Sequence, residues 1–408
     1  MKKQIKKSKA FGKVVVPPSK SYSHRLLIAS ALSNRPCTIQ NVECSNDIAT
    51  TIDALTMLGA DISYHQQEVK IHQTIFTNPQ MKNDISQELT INCHESGSTL
   101  RFLIPLGLVL TKNVTFTGTK TLMQRGLDVY EAIFKEQNIN YQKDENSIHI
   151  FGNLKPGHYQ VKANISSQFI SGLLFSLPLL EEDSVIEMIP PIESKNYLDI
   201  TLDVLKMFGI QITCQDQCYY IRGKQRYQGI DSRVEGDYSN AAFLDALNYY
   251  GGHVELLGLN PHSLQGDQIY QTYFKELSKG SKVIDLSNAI DLGPILFAFA
   301  SSHHGAHFIN THRLKIKESN RVDALIQELE KMGAKIKVLD NEVIIYETKL
   351  HTPTEVLDGH NDHRIVMSLA VLATSFGGII ESSEAVAKSY PSFFDVIKQL
   401  GIEVEDVK

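Results

Sequence analysis

Two kinds of helical pattern alternate along this chain, six times each, and that alternation narrows the folds open to it. One kind is amphipathic, closes at glycine or asparagine, and leads into extended segments. It recurs at Gly59, Asn138, Gly209, Gly280, Gly333 and Gly401. Glycine is the usual residue just past a helix end because the left-handed conformation costs it little, and asparagine is its common substitute. The other kind is apolar over most of its circumference and spans 23–32, 98–110, 167–177, 239–248, 291–301 and 362–374. Helices of that composition belong inside a domain. Each unit of roughly 50 to 80 residues therefore reads strand, buried helix, strand, surface helix, then one or two strands. At about 150 residues per domain, the 408 residues suggest two or three domains. Six repeats predict two domains of three, in an α/β (α+β) fold. The polar stretch 224–229 is the best boundary. It gives one domain over 17–226 and a second made of 1–16 plus 227–408, since residues 1–16 are expected to pair with the second half.

The starts of the apolar helices carry unusual chemistry. After Val14-Val15-Val16-Pro17-Pro18, the first opens as Ser19-Lys20-Ser21-Tyr22-Ser23-His24-Arg25. A helix N-terminus has about half a positive charge and favours acids in its first turn. Lys20, His24 and Arg25 are there instead, so either the side chains point to solvent or an anion occupies the helix start. The second helix opens at Glu95-Ser96-Gly97-Ser98-Thr99-Leu100-Arg101, which fits an N-cap or a phosphate cradle equally well. The third opens at Ser166-Ser167-Gln168-Phe169. Arg125 sits in a predicted loop, and Ser194-Lys195-Asn196-Tyr197 precedes a surface helix with Ser194 as its cap. In the second half, Asp291 edges an apolar run, where it is either an N-cap or a catalytic group. Lys317 and Arg321 stand four apart, the spacing of one helical face, with Glu318 between them; like charges so placed repel unless an anion joins them. Asn361-Asp362-His363-Arg364 and Lys388 complete the set. If the buried helices of each domain lie parallel, their N-termini face one cleft.

Composition removes several classes. A net charge of −6 and a pI near 6.2 argue against a nucleic-acid partner. Apolar runs are too short for a bilayer span of about 20 residues. Met1–Lys9 is basic without an apolar run behind it, unlike a secretory signal. The five cysteines are odd in number and lack paired CxxC units, which fits reduced thiols in a cytoplasmic protein. No metal-ligand spacing occurs, and His303, His304 and His307 read as a solvated loop.

Taken in order, the helix starts, together with Val234-Glu235-Gly236-Asp237 and Lys388 before Tyr390-Pro391, resemble the 5-enolpyruvylshikimate-3-phosphate synthase family almost end to end. The resemblance implies the two-domain enolpyruvyl transferase fold, each domain three βαβαββ repeats around buried parallel helices, an inside-out α/β barrel with substrates between the domains. It implies transfer of the enolpyruvyl group of phosphoenolpyruvate to the 5-hydroxyl of shikimate 3-phosphate by a monomer, without cofactor or metal. By matching positions, Lys20, Ser21, Arg25, Ser166, Ser167, Gln168, Ser194, Asp291 and Lys317 would hold shikimate 3-phosphate. Lys20, Gly97, Arg125, Gln168, Arg321, Arg364 and Lys388 would hold phosphoenolpyruvate. Asp291 and Glu318, with Lys20, would carry the protons. The charges agree: at up to about −2 per phosphate and about −1 per carboxylate, the two substrates bring about −6, against Lys20, Arg25, Arg125, Lys317, Arg321, Arg364 and Lys388. Glu95, Gly126 and Arg313 depart from residues common in the family, without removing a catalytic group. Three rival readings differ on visible features. A UDP-N-acetylglucosamine enolpyruvyl transferase typically carries a cysteine in the loop before its arginine, and 117–126 has none. A non-catalytic paralogue would have lost Asp291, Glu318 or Lys20. An RNA-end enzyme would be more basic.

Overall fold

Strand pairing shows how the repeats are assembled. The computed structural model describes residues 1–78 and 88–407. The chain divides into a unit of Met1–Pro17 with Glu235–Lys408 and a unit of Pro18–Val234. Among the described residues, the Pro18–Val234 unit has three four-stranded sheets, and the other has two such sheets and a two-stranded one.

The four-stranded sheets share one topology. Leu89–Asn92 runs parallel to Asn113–Thr117, which pairs antiparallel with Ser147–Phe151, which in turn pairs with Asn140–Lys143. Parallel neighbours need a crossover, and the apolar helix Gly97–Leu110 provides it. His158–Lys162 with Ser184–Ile189 repeats the arrangement around the helix Ser167–Ser176, and Val283–Asp285 with Ala306–Ile309 repeats it around Gly293–Ser302. Along the first apolar helix, Lys20–Ala31, the consecutive residues Leu26, Leu27, Ile28 and Ala29 are all buried. Only a helix enclosed on every side buries four successive residues. Helices thus form the interior, as the resemblance implies, but among the described residues no sheet closes into a barrel. The sheets stay separate and end on polar strands such as the exposed Asn140–Lys143.

Distant segments complete three of these sheets. Lys2–Ile5 lies between Gly378–Glu381 and Val404–Val407, and Phe11–Val15 runs parallel to His253–Leu257. Ser232–Arg233 pairs with Cys37–Gln40, and Ser33 bridges Tyr227. Residues 227–234 therefore stay with Pro18–Val234, and the chain crosses at 234–235 instead of at 226–227.

Five of the six helix-closing residues have left-handed backbones, with φ of 104° at Gly59, 56° at Asn138, 78° at Gly209, 89° at Gly333 and 96° at Gly401. Gly280 is the exception. The strand after it opens the next repeat, in parallel pairing, so no tight reversal is required there. No helix among the described residues is long and apolar enough to cross a membrane.

Candidate active site

In the Pro18–Val234 unit, three apolar helices present polar groups at their N-terminal ends. Ser19 caps Lys20–Ala31 by accepting from the Tyr22 N–H, and that first turn contains no acid. Lys20 Nζ instead pairs with Asp47 Oδ2 at 2.9 Å, a carboxylate from the adjoining helix Asn46–Met57. Arg25 is buried, and its neighbours are neutral oxygens. It donates to Thr201 Oγ1 (2.7 Å), the Ser21 carbonyl (2.8 Å) and the Tyr197 carbonyl (3.0 Å), and its guanidinium lies over the Phe102 ring. Burial pulls its pKa down to about 10, so it remains a cation at neutral pH. A buried cation among neutral acceptors is suited to an incoming anion.

Gly97 is the first residue of its helix, with Ser96 as cap. A Cβ at Gly97 would lie 3.0 Å from Arg125 Nη1 and 3.1 Å from Arg101 Nη1. Glycine thus lets two guanidiniums approach a helix N-terminus, an arrangement that attracts negative charge. Arg101 Nη1 donates to Gln168 Oε1 (2.8 Å), Arg101 Nη2 to the Arg125 carbonyl (3.2 Å), and Gln168 Nε2 to Ser98 Oγ (2.9 Å). The starts of the helices Gly97–Leu110 and Ser167–Ser176 are joined through that glutamine. Ser166 caps the latter by accepting from the Gln168 N–H, and Ser167 is its first residue. Ser194 occupies the N-cap position of Lys195–Met207 with φ at 55°, although its hydroxyl does not cap the helix.

In the unit of Met1–Pro17 with Glu235–Lys408, one guanidinium gathers three carboxylates. Arg321, 1% exposed, reaches Asp291 Oδ1 at 3.1 Å, Glu318 Oε2 at 2.6 Å and Asp362 Oδ2 at 2.8 Å. Burial alone would lower its pKa, but Asp362, Glu318 and Asp291 carry it well above the ordinary arginine value. Asp291 also pairs with Lys317 Nζ (3.2 Å) and faces Arg364 Nη2 (3.4 Å). Burial pushes Lys317 down to about 8, with Asp291 opposing and Arg321 reinforcing the shift. Asp362 caps the helix His363–Phe376 through the Arg364 N–H and accepts from Ser319 Oγ. Lys388 Nζ donates to the Asn361 carbonyl at 2.6 Å.

Two local expectations change. Lys317 and Arg321 do not share a helical face. Asn320 caps the helix Arg321–Glu330, and Lys317 lies before it in extended backbone. The repulsion expected between them is relieved by Asp291, which lies between both cations. Nor does Asp291 cap Gly293–Ser302; it sits in the turn Ile290–Leu292 and turns to the cations instead. The histidines scatter to separate partners: His303 stacks on Phe299, while His307 pairs with Glu342 and His304 with Glu347.

Sequence reading missed roles for Asp47, Arg101 and Asp362. Arg101 had a local signal, standing four residues after Gly97 on the same helical face. Asp362 had another, being the cap residue of an apolar helix. Asp47 had none, because its partner is 27 residues away.

The sequence matches the EPSP synthase (3-phosphoshikimate 1-carboxyvinyltransferase) family over residues 5–397. It is 41% identical to the 3-phosphoshikimate 1-carboxyvinyltransferase of Clostridioides difficile, across 99% of this chain and 98% of that protein. Identity to the protein of the same name in Clostridium kluyveri is 39%, over 98% of each. The fold is similar to a solved EPSP synthase of Acinetobacter baumannii, with a TM-score of 0.77 at 22% identity over 99% of this chain and 100% of that one.

Proposed function

Because the chain belongs to the EPSP synthase (3-phosphoshikimate 1-carboxyvinyltransferase) family, we propose that it transfers the enolpyruvyl group of phosphoenolpyruvate to the 5-hydroxyl of shikimate 3-phosphate, with release of phosphate. This is a step of the shikimate pathway, toward chorismate and the aromatic amino acids. The observation that carries the site reading is the single Asp291 carboxylate facing Lys317, Arg321 and Arg364, with Glu318 on the same guanidinium.

The reaction is an addition followed by an elimination. In the addition, the 5-hydroxyl oxygen bonds to C2 of phosphoenolpyruvate while C3 gains a proton and the hydroxyl loses one. In the elimination, the new methyl group gives up a proton and the C2–O bond to phosphate breaks. One group must therefore accept a proton as another donates it, and then reverse roles. Asp291 and Glu318, carboxylates in different surroundings, divide that work with Lys20. Lys20, Ser21, Arg25, Ser166, Ser167, Gln168, Ser194, Asp291 and Lys317 hold shikimate 3-phosphate. Lys20, Gly97, Arg125, Gln168, Arg321, Arg364 and Lys388 hold phosphoenolpyruvate, and Arg101 joins them by holding Gln168 and flanking Gly97. The same reading has the protein act as a monomer. Five free thiols support a reducing, cytoplasmic setting.

The test is phosphate release from phosphoenolpyruvate with shikimate 3-phosphate or UDP-N-acetylglucosamine as acceptor. Release is expected with the first alone; release only with the nucleotide sugar, or with neither, rules the reading out.

Lys317 adds a pH prediction. A lysine with a pKa of about 8 keeps only about a tenth of its charge one unit higher. The KM for shikimate 3-phosphate should therefore rise between pH 7 and 9. Lys317→Arg should flatten that rise, because guanidinium does not titrate there. An equal rise in wild type and variant would remove Lys317 from the acceptor site.

A further inference from the structure

Seven residues beyond Arg321, on the same helix, lies a carboxylate with no part in the proposed chemistry. Glu328 is 0% exposed, yet it is well supplied with donors. Its Oε1 accepts from His360 Nε2 at 2.9 Å, and its Oε2 accepts from Lys331 Nζ at 2.7 Å and from the Asp358 N–H at 2.8 Å. Lys331 reaches on to the Val356 carbonyl (3.1 Å). An ionised carboxylate only accepts, so the imidazole proton is on Nε2. The donors offset the desolvation of Glu328, and its pKa falls despite burial; the bond that His360 donates to Glu328 in turn raises the pKa of the imidazole.

The turn held in this way is strained. His360 and Asn361 have φ of 49° and 50°, two successive left-handed residues that are not glycine. Two such residues in succession persist only where their surroundings impose them. Asp358 contributes by accepting from the His360 N–H (2.8 Å) and Ser382 Oγ (3.0 Å). The next residues are those of the anion site: the Asn361 carbonyl receives Lys388, and Asp362 grips Arg321 and caps the helix that begins with His363 and Arg364. The turn is thus pinned to one helix at two places, Asp362 to Arg321 and residues 358–360 to Glu328.

We propose that Glu328 and His360 are positioning residues for phosphoenolpyruvate: by fixing the 358–362 turn against the Arg321–Glu330 helix, they set where Arg364 and Lys388 meet the anion. The inference rests on the reading that Arg364 and Lys388 hold phosphoenolpyruvate. Glu328→Gln puts an amide N–H against donors. His360→Asn keeps a residue that tolerates left-handed backbone but is too short to reach Glu328, and His360→Gln restores a donor of sufficient length.

Steady-state kinetics on the full chain, with each substrate varied, test the idea. Glu328→Gln and His360→Asn should each raise the KM for phosphoenolpyruvate about tenfold, the equivalent of one lost hydrogen bond to a charged group. The KM for shikimate 3-phosphate and kcat at saturation should stay within about twofold, with His360→Gln recovering most of the loss. His360 is part-exposed, so its variants fold even if Glu328→Gln does not. An unchanged KM for phosphoenolpyruvate in His360→Asn, or equal shifts for both substrates, overturns the proposal. Arg364→Lys separates the two layers. If it leaves the KM for phosphoenolpyruvate unchanged, the site reading fails and this inference with it. If Arg364→Lys raises that KM while His360→Asn does not, only the positioning role fails.

Discussion

Asp291→Asn and Glu318→Gln are expected to lower turnover by about two to four orders of magnitude, the usual contribution of a positioned acid or base, with both substrates still bound. Each substitution keeps the shape of the side chain and removes its ability to carry a proton. The sign of the binding effect is informative. Asp291 faces Lys317, Arg321 and Arg364, so neutralising it leaves three cations with less opposing charge. Phosphoenolpyruvate, held by two of these cations, should therefore bind Asp291→Asn at least as tightly as wild type. Calorimetric titration of phosphoenolpyruvate in the presence of shikimate 3-phosphate, beside single-turnover rates, makes the comparison. Normal turnover in both variants would end the acid/base assignment, and weakened binding in Asp291→Asn would end the electrostatic account of it.

Arg321→Met should cost stability as well as activity. The wild-type side chain holds three carboxylates, one of them the 0% exposed Asp362. Removing one partner of a buried ion pair costs about 3–5 kcal/mol, because the remaining charge is stranded. The pH dependence identifies the cause. In the wild type, burial would raise the Asp362 pKa, but Arg321 more than compensates and holds it below the usual aspartate value. A depressed carboxylate pKa contributes stability above the unfolded pKa of about 3.9, and that contribution fades as pH falls through the folded value. Without Arg321 the folded pKa of Asp362 rises above the unfolded one, and protonation then favours the folded state. The stability gap between wild type and Arg321→Met should accordingly narrow as pH falls from 7 toward 4, read from urea unfolding midpoints. Arg321→Met with Asp362→Asn should recover part of the loss at pH 7. A gap that is constant with pH would mean lost packing and not a stranded charge.

What the sequence conveyed and what it withheld follow from the range of the interactions. The repeats were legible because helix periodicity and left-handed closing residues are local properties, and five of the six closures adopt that backbone. Gly280 misled because the same glycine signal precedes a reversal or a new parallel strand alike. The cationic starts at Lys20 and Arg25 were legible as an electrostatic anomaly, since a helix dipole acts within one turn. What answers that anomaly was not: Asp47 beside Lys20 is 27 residues distant, and Asp362 on Arg321 is 41. Spacing rules do not reach across such intervals. The Lys317–Arg321 pair shows the complementary error. A four-residue interval looked helical, but Asn320 starts the helix only at Arg321, and an aspartate 30 residues upstream in the same repeat separates the charges.

The strand Lys2–Ile5 has a consequence in time. It leaves the ribosome before every other described strand, but its neighbours in the sheet are Gly378–Glu381 and Val404–Val407, more than 370 residues further along. Synthesis at about 5–20 residues per second separates the two events by roughly 20 to 80 s. Throughout that interval the strand has unpaired edges and carries the basic residues Lys2 and Lys3, with Lys6 just beyond it, which protect an unpaired edge against wrong partners. Pro18–Val234 is continuous and has all its strands once residue 234 has emerged. Among the described strands, birth order and completion order therefore run opposite ways: the one that emerges earliest belongs to the sheet that is completed latest.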